Sequence, residues 1–146
     1  MAVLPGGHPL ARRSNDEGVS LAELAEQPFV LATGGCSTNA RSLAADAGLQ
    51  LLDVRAEVRE WSSAFTLVRE NIGVTLVPEM TLPGNRQGLR VVPVTPCIDR
   101  EFALVVAPHK EPSAAVRVLL GMLADHQLSA GSPGNRKSAR TTLSGF

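Results

Sequence analysis

The segment from Thr33 to Thr38 carries the side chains best suited to bind a small ligand. Its sequence, Thr-Gly-Gly-Cys-Ser-Thr, places a thiol and two hydroxyls directly after two glycines. A glycine turn that leads into a helix presents backbone N–H groups at the helix N-terminus, where they can hold a small anion without a charged side chain. The residue types therefore indicate a binding loop. An ordinary strand-turn-helix corner is the alternative, because open α/β sheets contain many such corners.

A buried strand and a helix flank this loop in the sequence. Phe29 to Ala32 is a short apolar run, which is typical of a covered strand. Small apolar residues from Ala40 to Ala47 recur with helical spacing, and Gly48 stands where a glycine commonly ends a helix. Ser37 or Thr38 is predicted to cap this helix.

The same alternation of strands and helices continues along the chain. Ser20 and Glu23 form a capping-box pattern that predicts a helix over Leu21 to Glu26, and Ser62 or Ser63 is predicted to cap another helix that ends at Gly73. Further strands are predicted at Ala2 to Leu4, Leu51 to Val58, Val74 to Val77, Leu89 to Val94 and Phe102 to Ala107. A last helix begins after Ser113 and carries an apolar stripe from Val116 to Leu123. Alternating elements predict an α/β fold with a parallel or mixed sheet flanked by helices.

Ligands in such folds bind beyond the carboxyl ends of the strands. The Thr33 to Thr38 loop follows one predicted strand, Pro78 follows the strand Val74 to Val77, and Glu60 to Ser63 precedes a helix after a third strand. The candidate ligand-binding residues are therefore Thr33, Gly34, Gly35, Cys36, Ser37, Thr38 and Pro78.

Composition excludes several classes of function. Lys plus Arg equals Asp plus Glu at 14 each, so the chain lacks the basic excess typical of proteins that grip nucleic acid. The sequence has no nucleophile elbow, no glycine-lysine phosphate loop and no paired carboxylates, so we predict no enzyme, no catalytic residue and no cofactor. Two isolated cysteines predict neither a disulfide nor a metal site and favour a reducing, cytoplasmic location.

Three residues near the loop have two interpretations each. Cys36 at a helix start is a candidate reactive thiol, with a small polar pocket-lining residue as the alternative. Trp61 either lines the cleft or covers the edge of the core. Arg41 either adds charge to the site or is solvated.

The order of short motifs resembles the effector-binding domain of LysR-type transcriptional regulators. The resemblance rests on His8-Pro9-Leu10-Ala11, Val19 to Ala25, Pro28 to Leu31, Gly73 to Glu79 and Gly88 to Val94, followed by Phe102 to Val106. It covers nearly all of residues 1–127. The order and spacing of these motifs, rather than any one of them, carry the resemblance.

The resemblance implies a fold similar to the type II periplasmic binding proteins, with a small-molecule effector between two lobes. It assigns residues 15–98 to a complete lobe II, residues 1–14 and 99–127 to parts of lobe I, and residues 128–146 to a disordered tail. It also implies that DNA is contacted only through a winged helix-turn-helix domain absent from this chain. Cys36 stands where peroxide-sensing members of the family carry their reactive cysteine, but no second cysteine follows in the next helix.

The function implied is effector sensing for a transcriptional regulator, and the expected ligand carries a carboxylate or a similar oxygen-rich group. Two alternatives stay open: a solute-binding protein of the same fold, which the absence of a secretion signal disfavours, and a truncated remnant that binds nothing. An incomplete lobe I would leave Phe102 to Val106 and the stripe from Val116 to Leu123 without partners, so we expect a homo-oligomer.

Overall fold

The computed structural model of the protein describes residues 1–99 and 113–129. The chain divides into two compact units, Met1–Arg100 and Glu101–Phe146. The first unit contains all five strands of the described residues and the candidate loop.

A mixed sheet forms the centre of the first unit. Its strands are β1 (Ala2–Pro5), β2 (Pro28–Ala32), β3 (Asp53–Val58), β4 (Thr75–Leu76) and β5 (Leu89–Val92). Strand β1 lies between β4 and β5 and is antiparallel to both, whereas β2 and β3 are parallel. Val74 joins the two sets, because its N–H donates to the Pro28 oxygen at 2.7 Å and its oxygen accepts from the Val30 N–H at 2.8 Å. The resulting order is β3-β2-β4-β1-β5, which confirms the predicted mixed sheet.

Helices cover both faces of this sheet. They are α1 (Leu21–Ala25), α2 (Ala40–Asp46) and α3 (Trp61–Arg69), with short 3-10 turns at Pro9–Arg12 and Glu79–Thr81. Side chains alternate along each strand, so Leu4 and Phe29 belong to a core cluster with Leu24 of α1 and Ala40 of α2. Val3 and Val30 face the other side, where they pack with Ala64, Phe65 and Val68 of α3.

The predicted start of α1 is confirmed. The Ser20 backbone N–H and hydroxyl both donate to the Glu23 carboxylate at 2.9 Å, and the Glu23 N–H donates to the Ser20 hydroxyl at 3.1 Å. These bonds, the backbone one first, lower the pKa of the Glu23 carboxyl below its ordinary value.

The predicted caps of the next two helices are wrong. Asn39, not Ser37 or Thr38, caps α2, because its backbone is extended and its side-chain oxygen accepts from the N–H groups of Arg41 and Ser42. Helix α3 begins at Trp61, before Ser62 and Ser63, and its N-cap Glu60 makes no side-chain capping bond. The bulky Trp61 starts this helix because its side chain packs against the cluster on that face of the sheet.

The end of α3 also differs from the prediction. Asn71 adopts a left-handed conformation with φ of 59°, and the N–H of Ile72 donates to the Leu67 oxygen at 3.0 Å. This is a Schellman turn, in which Asn71 takes the position usually held by glycine. The turn ends the helix before Gly73. Gly48 ends α2 with the same kind of turn, as predicted.

Residues 1–14 and 15–98 lie in one compact unit, and their assignment to two lobes stays a prediction. Strand β1 pairs with both β4 and β5, so residues 1–14 are part of the unit Met1–Arg100 together with residues 15–98. The end of that unit lies close to the predicted boundary after residue 98.

The described part of the second unit is α4 (Ala114–Ser129). Its predicted start is confirmed, because the Ser113 hydroxyl accepts from the Val116 N–H at 3.4 Å. The helix includes Leu128 and Ser129, which the sequence had assigned to the tail. The predicted strand Phe102 to Ala107 and the rest of the predicted tail lie outside the described residues.

Thr75 is a polar residue in the sheet centre. Its side chain is fully buried, and its hydroxyl has no hydrogen-bond partner among the described residues. A buried hydroxyl without a partner costs free energy, because it has lost its bonds to water without replacement.

We therefore expect Thr75→Val to raise the free energy of unfolding by about 1 kcal/mol. Urea unfolding followed by circular dichroism measures this change. Thr81→Val is the matched control, because the Thr81 hydroxyl donates to the Pro78 oxygen at 2.7 Å and its removal gives no stabilisation. A Thr75→Val protein less stable than the parent would contradict the expectation.

Candidate functional site

Three parallel segments of the sheet end at one edge. Ala32 pairs with Val58, and the pairing of Phe29 with Val74 brings Val77 level with Ala32. The residues that follow are Thr33, Arg59 and Pro78. The register therefore brings together the loop after β2, the connection after β3 and Pro78, as the sequence predicts.

The Thr33 to Thr38 loop is anchored to the neighbouring connection by its backbone. The N–H of Thr33 donates to the Val58 oxygen, and the N–H of Gly34 donates to the Arg59 oxygen, both at 3.0 Å. The loop then turns through two left-handed glycines, Gly34 with φ of 59° and Gly35 with φ of 71°. The N–H of Cys36 closes the turn by donating to the Thr33 oxygen at 3.0 Å.

Two side chains lie against these glycines, one from Arg59 in the connection after β3 and one from Trp61 at the start of α3. A Cβ atom placed on Gly34 would meet the Trp61 indole, coming within 2.7 Å of its Cε2 atom. A Cβ atom on Gly35 would lie 3.1 Å from Nε of Arg59. Both glycines have a positive φ, which favours glycine, and at Gly34 the indole also leaves no room for a side chain. Trp61 also packs against the core, as one of its two interpretations expects.

Most backbone donors of the loop are already used. Thr33, Gly34 and Cys36 donate to backbone oxygens, and the Gly35 N–H is 3.4 Å from the Thr33 hydroxyl. The Asn39 cap accepts from the first N–H groups of α2, which has only seven residues. Among the described residues, Ser37 is different, because its N–H and its hydroxyl have no partner. The loop therefore offers a ligand fewer free N–H groups than its sequence suggests, and Ser37 keeps its donors.

The remaining predicted residues contribute different surfaces. Pro78 is half-buried, and its oxygen accepts from the Thr81 hydroxyl, so it offers a ring and no free donor. Cys36 is exposed and unpaired, with its sulfur 3.7 Å from the Gly34 oxygen. Arg41 forms an exposed ion pair with Glu57 at 3.0 Å.

A cavity of about 320 Å³ lies at the opposite edge of the sheet, where sequence reasoning had predicted nothing. Its lining includes His8, Pro28, Arg55 and Asn71. Its polar side chains are engaged: Nδ1 of His8 accepts from the Leu10 N–H at 3.2 Å, and Arg55 pairs with Asp53 at 3.0 Å. Burial lowers the pKa of the His8 imidazole, against a hydrogen bond with Gln27 that raises it.

Within residues 1–99 and 113–129, no group of three or more His, Cys, Asp or Glu side chains is placed to hold a metal ion. None of the helices described is long and apolar enough to span a bilayer.

A sequence profile described as "LysR substrate binding domain" matches residues 1–128. The chain belongs to the family of LysR substrate-binding domains. This confirms the resemblance drawn from the motifs, and the family is not a class of enzymes.

Curated and solved relatives agree with this assignment. The uncharacterized HTH-type transcriptional regulator YvbU of Bacillus subtilis is 27% identical over 122 residues, which are 82% of this chain and 40% of YvbU. The BenM effector-binding domain with its effector benzoate superposes with a TM-score of 0.65 at 20% identity, over 96% of this chain and 65% of that one. Full-length BenM superposes with a TM-score of 0.64 at 22% identity, over 92% of this chain and 46% of the BenM chain.

These structural matches confirm the predicted fold class, which is similar to the type II periplasmic binding proteins. This LysR substrate-binding domain spans less than half the length of the curated relative and about two thirds of the solved effector-binding domain.

The contact between Gly34 and Trp61 predicts an unusually costly substitution. Gly34→Ala would place a methyl group in the indole ring as well as strain the backbone, whereas at Gly48, with a φ of 71°, an added Cβ meets nothing within 4 Å. We expect Gly48→Ala to lower the free energy of unfolding by about 1 kcal/mol, and Gly34→Ala to cost about 1–3 kcal/mol more. Urea unfolding of the two variants measures the difference. Equal costs would show that the indole contact contributes nothing.

Proposed function

We propose that the Thr33 to Thr38 loop, with Pro78, binds the small-molecule effector of a LysR-type transcriptional regulator. The observation that carries this proposal is that the N–H and the hydroxyl of Ser37 have no partner among the described residues. Ser37 lies at the edge where three parallel segments of the sheet end. Such an edge is the usual ligand position in open α/β sheets. Membership of a substrate-binding family supports the same assignment.

The ligand we propose carries a carboxylate or a similar oxygen-rich group. Ser37 offers two hydrogen-bond donors, and a carboxylate offers only acceptors. Benzoate, the effector of BenM, is itself a small carboxylate. At 20% identity this relative shows the fold, and its effector supports the chemical class rather than the identity of the ligand.

The setting we propose is a cytoplasmic regulator that contacts DNA through a winged helix-turn-helix domain outside this chain. The two exposed, unpaired cysteines are compatible with a reducing compartment. The zero formal charge supports a sensing role rather than direct DNA binding for this chain. A solute-binding protein and a remnant without a ligand are the competing functions, and the experiment on the loop separates the remnant from the other two.

We also propose that the protein associates with itself through α4. The side chains of Val118 and Met122 are 62% and 65% exposed, and Leu119 and Leu123 beside them are 45% and 44% exposed. Spacings of three and four residues put these four on one continuous side of the helix. Association with the α4 of a second copy would remove this apolar surface from water.

The ligand proposal is tested by titrating the isotope-labelled chain with a panel of small carboxylates and their amides. We expect a bound member to shift the backbone amides of the Thr33 to Thr38 loop and of Glu79, and to leave Asn71 at the opposite edge unchanged. Ser37→Ala should weaken the binding by about 1 kcal/mol, roughly fivefold, because one hydrogen bond is lost. Shifts confined to the opposite edge would show that the site lies elsewhere, and a panel without any binding would support the remnant.

The association proposal is tested by sedimentation velocity over a range of concentrations. We expect the chain to form dimers, and the double substitution Val118→Lys with Met122→Lys to raise the dissociation constant at least about tenfold. Leu52→Lys with Met80→Lys is the matched control, because these side chains are 71% and 78% exposed but lie in the first unit. A parent chain that stays monomeric at every concentration would contradict the proposal.

A further inference from the structure

A positive charge that the sequence reasoning passed over lies beside the candidate loop. Arg59 directly follows β3, and its backbone oxygen accepts from the Gly34 N–H at 3.0 Å. Its guanidinium extends over Gly35, so that a Cβ atom there would lie 3.1 Å from Nε and 3.2 Å from Nη2. The absence of a side chain at Gly35 makes this position of the guanidinium possible.

The Arg59 guanidinium is unpaired, unlike those of Arg41 in α2 and Arg55 in β3. Arg41 pairs with Glu57 and Arg55 pairs with Asp53, each at 3.0 Å. The Arg59 side chain is exposed and makes no hydrogen bond or ion pair with any described residue. The adjacent Glu60 makes none with its side chain either, so it does not neutralise the guanidinium.

The loop itself cannot supply the charge that a carboxylate ligand needs. The N–H groups of Thr33, Gly34 and Cys36 are used internally, and Asn39 accepts from the N–H groups of Arg41 and Ser42 in α2. A carboxylate that leaves water binds well only where a cation or several donors replace its hydration. Among the described residues, Arg59 holds its cation against this loop. A guanidinium can donate two parallel N–H hydrogen bonds to the two oxygens of a carboxylate.

We propose that Arg59 is the specificity-determining residue of this site, binding the carboxylate of the ligand together with Ser37 and selecting it over uncharged analogues. This inference rests on the proposed function of the loop. It assigns the charge recognition to a residue of the connection after β3, outside the Thr33 to Thr38 loop.

The test uses acetate and acetamide as probes, titrated into the labelled chain and followed by the Ser37 amide and the Arg59 Nε–H signals. We expect acetate to shift both signals with a saturable curve and acetamide to bind at least about tenfold more weakly. Arg59→Gln should reduce the acetate affinity at least about tenfold and abolish the preference for acetate. Arg55→Gln is the matched control, because Arg55 lies in β3 at the opposite edge of the sheet, and it should leave the titration unchanged.

A second pair of variants tests the position of the guanidinium without removing it. Gly35→Ala and Gly48→Ala impose the same strain, since both glycines have φ of 71°, but only the first puts a methyl group against Arg59. We expect Gly35→Ala to weaken acetate binding and Gly48→Ala to leave it unchanged.

The outcomes separate this inference from the proposed function. Acetate shifts that are absent in the parent chain, or that persist in Arg59→Gln, overturn the inference. If an uncharged compound then still shifts the loop amides, the proposed function stands while the role of Arg59 falls. If acetate binds through Arg59 but no larger compound of the panel shifts the loop, the role of Arg59 stands and effector binding by this loop falls.

Discussion

The backbone hydrogen bonds of Val74 with Pro28 and Val30 join the two sets of strands into one sheet. Strand β4 has only two residues, yet its segment is antiparallel to β1 on one side and parallel to β2 on the other. Without those two bonds, at 2.7 and 2.8 Å, the pair β2-β3 and the set β4-β1-β5 would be separate small sheets. Neither would have the two covered faces that make a stable core. The shared edge behind Thr33, Arg59 and Pro78 exists because of this junction.

Patterns that repeat within an element could be predicted from the sequence. The alternation along β3 and the apolar face of α3 follow directly from burial, and the structure bears them out. Single-residue choices at the ends of helices were less predictable. Asn39 competes with Ser37 and Thr38 for the cap of α2, and Asn71 replaces glycine at the end of α3. In both places an asparagine does what the sequence reasoning had assigned to another residue, because its side chain bonds locally and its backbone tolerates unusual angles.

The candidate loop was found from its residue types, but its surroundings could not be. Nothing in local sequence shows that Trp61 and Arg59 lie against Gly34 and Gly35, since the contact depends on the register between β2 and β3. The same register explains why the loop N–H groups are consumed, because two of them continue the ladder beyond the strand ends. A loop that looks rich in donors in the sequence therefore keeps few of them once the sheet has formed.

The position of Trp61 gives the protein a built-in optical reporter. It is the single tryptophan of the chain, and the chain contains no tyrosine. Nearly all the ultraviolet emission of the folded protein must therefore come from one indole, and that indole lies on the first glycine of the loop. The wavelength and intensity of tryptophan fluorescence depend on how much water reaches the ring. A displacement of the loop that changes the exposure of the indole therefore changes the fluorescence of the whole chain, and no label is needed.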